Sequence, residues 1–290
     1  MNRLLVLSIA LGGLIAGPAL AAELGARAPA PAPIVSNWTG FYVGADVGAR
    51  VTDTTWSTTS WTFLGTPCTL NLNCPAAPVG ITNFPLASSG NYGGIGARVG
   101  GYLGYNWQFA PSWLVGLEGH FGWGDKTVSQ AGVAPAPLAL VSFGFPPGAA
   151  DFTSIKTTWD ASVRARFGYL VTPDFLVYAT GGAAWQHVEL SASCGSSCPF
   201  SFGATASPTF ASMSTTKDGW LVGGGAEWKF WGNWMARAEY TFARFSNIGF
   251  NYSYVTVAPA VAATAGGVRY TTNADLDTHT FVVGLAYKFW

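Results

Sequence analysis

The residues that could do chemistry in this chain are three histidines, four cysteines and a set of paired carboxylates and guanidinium groups. A nucleophilic site needs a base within hydrogen-bond reach of a Ser, Thr or Cys. His279 is followed by Thr280 and Phe281, and no His-x-Ser occurs at a spacing that would place the pair on one strand face. His120 shares its parity with Glu118, while His187 stands alone in its segment. Gly94, Gly96 and Gly100 resemble a phosphate loop only in composition. No helical pattern follows them, and glycine in a tightly curved strand explains them better. Cys68 and Cys74 fall in one connection, Cys194 and Cys198 in another. Four thiolates drawn from two connections, with no histidine beside them, make a poor zinc site. Two local disulfides are the natural pairing in an oxidising compartment, although four cysteines permit three connectivities.

The charges carry more information. Asp46 and Arg50 share a parity; so do Asp160, Arg164 and Arg166; so do Glu227 and Lys229, and Arg237 and Glu239. In the first of these segments the opposite parity reads Phe41, Val43, Ala45, Val47, Ala49. In the second it reads Trp159, Ala161, Val163, Ala165, Phe167, Tyr169, Val171. Period two means β-strand. A soluble sheet would turn such an apolar face inward. These segments are long, rich in glycine and bounded by aromatics, which is the pattern of a transmembrane barrel, apolar toward lipid and polar toward the lumen. A charge facing lipid at mid-bilayer costs about 2–4 kcal/mol, and that cost fades near the interfaces. Glu189, Asp218, Arg244 and Asp277 fall on the wrong parity, but only at the outer strand ends.

Eight segments must position these residues: Trp38–Arg50, Gly93–Phe109, Trp113–Gly124, Thr157–Val171, Phe175–Val188, Asp218–Phe230, Trp234–Ala243 and Thr278–Trp290. Ala110-Pro111-Ser112, Thr172-Pro173-Asp174 and Trp231-Gly232-Asn233 are tight turns. They alternate with long connections near 51–92, 125–156, 189–217 and 244–277. This predicts an all-β, eight-stranded antiparallel up-and-down barrel with periplasmic turns and extracellular loops. Aromatics gather in two girdles: Trp107, Phe109, Trp113 and Trp234 near the turns, and Phe121, Trp123, Trp185 and Trp220 near the loops.

Composition agrees. Of 290 residues 49% are hydrophobic and only 10% charged, too few charges for an ordinary soluble surface. No apolar run after residue 21 approaches the roughly 18 residues of a membrane helix, which leaves a barrel as the spanning solution. Net charge is zero, so nothing suggests a nucleic-acid partner. Residues 1–21 read as a signal peptide, with Arg3, the apolar Leu4–Ala16 and the cleavage site Ala19-Leu20-Ala21. Residues 22–37 read as a Pro/Ala-rich periplasmic linker, and 38–290 as the barrel.

Several stretches resemble the alphaproteobacterial outer-membrane immunogenic proteins, small porin-family surface-antigen barrels. They are Trp38-Thr39-Gly40-Phe41-Tyr42-Val43-Gly44, Gly116-Leu117-Glu118-Gly119, Tyr178-Ala179-Thr180-Gly181-Gly182-Ala183, Ala238-Glu239-Tyr240 and Val283-Gly284-Leu285-Ala286-Tyr287-Lys288-Phe289. No motif in the sequence points to a cofactor, and the resemblance implies an outer-membrane barrel. Its surroundings would be outer-membrane lipid and lipopolysaccharide, and the barrel-assembly machinery would insert it. Such barrels commonly end on an aromatic; here Phe289 is followed by Trp290. The alternating Val283, Leu285, Tyr287 and Phe289, with Trp290, would carry the assembly signal.

An eight-stranded barrel is only wide enough to be filled by its own side chains. Asp46, Glu118, Asp160, Glu227 and Glu239 should therefore pair with Arg50, Arg98, Arg164, Arg166, Lys229, Arg237 and Lys288, because an unpaired buried charge is costly. The expected role is structural or antigenic, without catalysis. The alternatives are a narrow diffusion pore, a lipid-modifying enzyme, a soluble ligand-binding barrel and a haem- or ligand-binding surface barrel.

Overall fold

A computed structural model describes residues 37–64, 84–131, 152–194, 209–256 and 266–289. The proposed signal peptide, nearly all of the linker, Cys68, Cys74, Cys198 and Trp290 lie outside these residues, as does the side chain of Cys194. The described chain forms eight strands: β1 (Gly40–Leu64), β2 (Phe84–Ala110), β3 (Trp113–Ala131), β4 (Phe152–Thr172), β5 (Phe175–Cys194), β6 (Thr209–Trp231), β7 (Trp234–Thr256) and β8 (Gly266–Lys288). Each pairs antiparallel with its sequence neighbours, and β1 pairs with β8 to close the barrel. The closing register sets Val43 against Tyr287 and Val47 against Val283. With no open edge, every strand finds a partner on both sides, as a lipid environment demands.

The wall follows the alternation. Leu103 is 65% exposed on the outside while its neighbour Tyr102 is 2% exposed in the lumen. Phe41, Val47, Leu117, Val163, Phe281, Val283 and Leu285 all point outward. The girdle residues do too, and several touch in pairs: Trp113 with Tyr169, Trp234 with Tyr287, and Trp220 with Phe242. No helix among the described residues is long and apolar enough to cross a membrane; the strands do it.

At the tight turns the strand ends fall within about two residues of the expected ones. At the other end they do not. β1 runs on to Leu64 and β7 to Thr256, and β8 begins at Gly266. Strands of 19 to 27 residues are roughly twice the 9–11 that a tilted crossing takes. Both ends of every stretch expected to be a long connection are therefore strand, and the barrel projects beyond the membrane as a second storey. Its alternation is inverted. Asp53, Thr55, Asn91, Asp125, Thr127, Ser214, Asp218 and Asp275 face out, while Trp56, Tyr92, Ile155, Leu190, Ile248, Phe250 and Leu276 form an apolar core within. Above the outer girdle the wall meets water, so the hydrophobic effect drives the apolar side chains inward, as in any half-buried soluble sheet.

The change of storey is marked by irregularity. The β3–β4 register shifts between Trp123 and Lys126, and the β4–β5 register between Thr157 and Asp160. Consecutive Thr157 and Thr158 are both buried there, which moves the inward parity from Ile155 and Thr157 to Asp160, Ser162, Arg164 and Arg166. A bulge re-aims side chains in just this way.

Candidate functional site in the barrel lumen

The inward side chains at membrane level form two tiers of charge. In the outer tier, Asp160 on β4 receives Arg98 of β2 at 2.6 Å and Arg50 of β1 at 3.0 Å. Asp46 of β1 accepts from Arg98 at 3.3 Å and lies 2.7 Å from His120 Nε2 on β3. Arg98 also reaches His120 Nδ1 at 3.1 Å. A guanidinium can only donate, so Nδ1 accepts and Nε2 carries the proton toward Asp46. Arg98 needs space to lie flat here: a Cβ on Gly122 would collide with its guanidinium.

Arg50 has a second task. Its Nη2 donates to the backbone carbonyls of Gly124 (2.6 Å), Thr158 (3.0 Å) and Thr157 (3.2 Å). These carbonyls sit where the register slips, so the guanidinium satisfies backbone acceptors at the bulge. One side chain thus stitches the bulge and anchors the tier.

In the inner tier, Glu118 of β3 is fully buried and lies among three guanidinium groups. Arg164 approaches at 2.5 Å and Arg166 at 3.3 Å, and Arg237 also bonds it directly. Tyr42 Oη donates to the same carboxylate at 2.6 Å. Glu227 accepts from Arg166 at 2.6 Å and Arg237 at 2.9 Å. Glu239 pairs with Arg164 at 2.8 Å and accepts from Tyr178 Oη at 2.6 Å. Two of the guanidinium groups lie over aromatic rings, Arg166 on Tyr178 and Arg237 on Tyr102, each 3.9 Å from the centroid. The outer tier sets two carboxylates against two guanidinium groups, the inner tier three against three. Each tier is neutral.

Two of the expected members lie elsewhere. Lys229 and Lys288 occupy the last inward positions of β6 and β8, beside the tight turns, so they stand at the periplasmic mouth rather than among the tiers. Lys229 reaches away from the network, to the carbonyl of Asn37 at 2.9 Å and over the ring of Trp38 at 4.1 Å. The tyrosines and His120 are the residues that charge spacing alone overlooked as network members. They share the inward parity on β1, β2, β3 and β5, which was the available signal.

Apolar layers sandwich the tiers. Toward the periplasm lie Trp38, Leu114, Leu170, Leu176, Met235 and Ala286; outside lies the second-storey core around Trp56. Between the tiers and that core is a cavity of about 40 Å³, lined by Arg50, His120, Asp160, Gln186 and Thr278 among others. At ~10–15 Å³ per water it has room for a few waters, and Thr278 Oγ1, which has no protein partner, faces it.

On the outer wall the four charges of wrong parity all lie in the second storey. Arg244 holds Asp277 through two bonds, at 2.6 and 2.8 Å, which keep that carboxyl below the usual carboxylate range. Asp218 accepts from Ser246. Glu189 lies 3.9 Å from Lys156, itself 3.4 Å from Asp125. His187 sits between Ser214 and Thr216 of the next strand, each hydroxyl 3.1 Å from a ring nitrogen. This cross-strand His–Ser contact could not be seen in sequence spacing. A hydroxyl, not a carboxylate, occupies the second ring nitrogen, so the arrangement lacks the acid that would hold an imidazolium in an acyl-transfer triad. His279 bonds Tyr240 Oη at 2.8 Å. Among the described residues no group of three or more His, Cys, Asp or Glu is placed to hold a metal.

A closed eight-stranded barrel with a lipid-facing belt, two aromatic girdles and charges turned inward is an integral outer-membrane barrel. A family model described as outer membrane protein beta-barrel domain matches residues 18–289, and the chain belongs to that family. It is similar to the 31 kDa outer-membrane immunogenic protein of Brucella melitensis, 27% identical over 205 residues, covering 68% of this chain and 70% of that protein. It is similar also to the 25 kDa outer-membrane immunogenic protein of the same organism, 25% identical, covering 71% and 84%. The 22 kDa outer membrane protein of Rhizobium leguminosarum is 27% identical, covering 60% and 69%. Among solved structures, the outer membrane protein OprG of Pseudomonas aeruginosa matches over 87% of this chain and 96% of its own at 9% identity, with a TM-score of 0.43. The protein is thus an integral outer-membrane β-barrel.

Proposed function

We propose that this protein is a closed, non-conducting scaffold that carries a folded second storey and its loops at the cell surface, and that it does no enzymatic chemistry. One observation carries this reading. Two neutral ion-pair tiers lie across the lumen between two apolar layers, leaving a cavity of only about 40 Å³. An aqueous path would have to part ten paired charges, nine of them buried, and removing one partner of a buried pair costs about 3–5 kcal/mol. Planar-bilayer recording tests it. Purified barrel should give no steady channel; a reproducible ohmic conductance would replace the scaffold with the diffusion pore. The outer-leaflet lipid and lipopolysaccharide are the proposed surroundings of the wall, and the barrel-assembly machinery the proposed partner of β8.

The lipid-modifying alternative has one specific observation behind it, the contact between His187 and Ser214 on the outer wall. Incubation with lipopolysaccharide or phospholipid should release no fatty acid. Release that disappears in Ser214→Ala would establish the enzyme instead.

A further inference from the structure

Before β1 begins, the chain does something the wall does not require. Trp38 is fully buried inside the periplasmic mouth. Its backbone N–H donates to Gln108 Oε1 of β2 at 3.0 Å, and its indole N–H donates to the carbonyl of Pro173, in the β4–β5 turn, at 3.0 Å. The ammonium of Lys229 on β6 covers its ring and reaches back to the carbonyl of Asn37. Thr39 Oγ1 accepts from the Gln108 N–H at 3.0 Å. The ring belongs to an apolar layer with Leu114, Leu170, Leu176, Met235 and Ala286, drawn from β3, β4, β5, β7 and β8. The chain makes the turn from mouth to wall at Gly40, whose φ of 139° is one that a side chain disfavours. Three residues therefore bond to β2, the β4–β5 turn and β6, and Trp38 shares an apolar layer with side chains of β3, β4, β5, β7 and β8.

We propose that Asn37–Thr39 is a periplasmic latch, a strap that seats Trp38 in the completed floor and seals the lumen from the periplasm. Its seat exists only when the barrel is shut, because Gln108, Pro173 and Lys229 come from elements around the ring. Seating therefore follows closure. The strap also brings the chain to β1 through the mouth rather than along the wall.

Met235 reports the seal directly. It is 1% exposed in the same layer as Trp38, and its thioether is oxidised by peroxide only when reached by solvent. Met213, packed against the outer core, serves as an internal control. Barrel purified from outer membranes is treated with hydrogen peroxide, and sulfoxide at each position is followed by peptide mass spectrometry. In Trp38→Ala we expect Met235 to oxidise roughly tenfold faster than in wild type while Met213 is unchanged, the signature of local opening. A Met235 as protected as in wild type would overturn the latch. A parallel rise at Met213 would overturn it too, since the barrel would have loosened as a whole. Gln108→Ala, which keeps the ring but removes the side-chain acceptor of the Trp38 N–H, should give a smaller rise at Met235 alone. If Trp38→Ala does not fold, this variant decides by the same criteria. A conducting wild type would overturn the seal along with the closed scaffold, whereas a non-conducting wild type whose Met235 stays protected in Trp38→Ala would overturn the latch alone.

Discussion

The Glu118 carboxylate and the Arg164 guanidinium meet at 2.5 Å from neighbouring strands, both buried, with two further guanidinium groups on the same carboxylate. Glu118 is thus the hub of the inner tier. Glu118→Ala leaves three cations short of a partner in a low-dielectric lumen, so the loss should reach about 3–5 kcal/mol, the range for an uncompensated buried charge. Arg164→Ala leaves Glu118 with Arg166 and Arg237, and Glu239 with the Tyr178 hydroxyl, and should cost less. Urea unfolding in lipid vesicles measures both. Equal losses would mean that the tier has no hub.

The register makes a second prediction. Val283 is 58% exposed on the lipid face, and Ala165 lies opposite Leu117 on the same face. Val283→Arg or Ala165→Arg should cost about 2–4 kcal/mol of bilayer stability, the price of a charge near the midplane. Parity alone suggests Ser162, which faces the lumen, as the tolerant comparator. The structure removes it, because Ser162 lines the 40 Å³ cavity and a guanidinium would not fit. Thr127, exposed on the outer wall above the girdle, is the proper control and should accept arginine with little change. Similar losses at Thr127 and Val283 would place the membrane boundary in the wrong storey.

Protease added to intact cells should cut within residues 65–83 or 132–151, and spare the β4–β5 turn at Pro173-Asp174. Long connections fall on the cell-surface side in this topology and tight turns on the periplasmic side. The second storey narrows the expected windows, since β1 continues to Leu64 and β3 to Ala131. Fragment masses from the outer-membrane fraction give the sites. Cleavage at the tight turns with the long connections intact would invert the barrel.

The membrane-level wall was legible because its chemistry is one-sided: Phe41, Val43 and Val47 against Asp46 and Arg50 leave a single register. The second storey was not, because the sign of the pattern changes. Asp53, Thr55 and Ser57 alternate with Thr52, Thr54 and Trp56, and a reader seeking apolar-outward strands takes the stretch for a loop. It is a strand with its one large apolar residue turned inward. The same inversion explains Glu189, Asp218, Arg244 and Asp277, which obey water rather than lipid. Partnerships across strands were out of reach for another reason. Arg50 and Asp160 are 110 positions apart and His187 and Ser214 are 27 apart, and only strand order and bulge positions bring them together. Lys229 and Lys288 were misplaced because parity gives the face of a strand but not the depth at which a side chain does its work.

The final strand carries the last prediction. Val283 and Leu285 project toward lipid, Phe289 ends the described chain outward, and Tyr287 packs on Trp234 with ring centroids 5.4 Å apart. The strand also shuts the barrel. Tyr42 pairs with Lys288, Val43 with Tyr287, and the Phe289 N–H donates to the Phe41 carbonyl at 2.8 Å. Deleting Tyr287–Trp290 removes those rungs at the periplasmic end of the seam, opens backbone groups to lipid that has no hydrogen bonds to offer, and strips girdle aromatics from the terminus. The truncation leaves residues 1–21 intact, so export should proceed and the truncated chain should accumulate in the periplasm and be degraded. Deleting Trp290 alone should do less, because Phe289 then becomes the terminal aromatic and the seam keeps every described rung. Fractionation followed by heat-modifiable migration on a detergent gel distinguishes the outcomes. A four-residue truncation that still reaches the outer membrane at normal levels as a heat-modifiable barrel would show that neither closure nor the assembly signal depends on this end of β8.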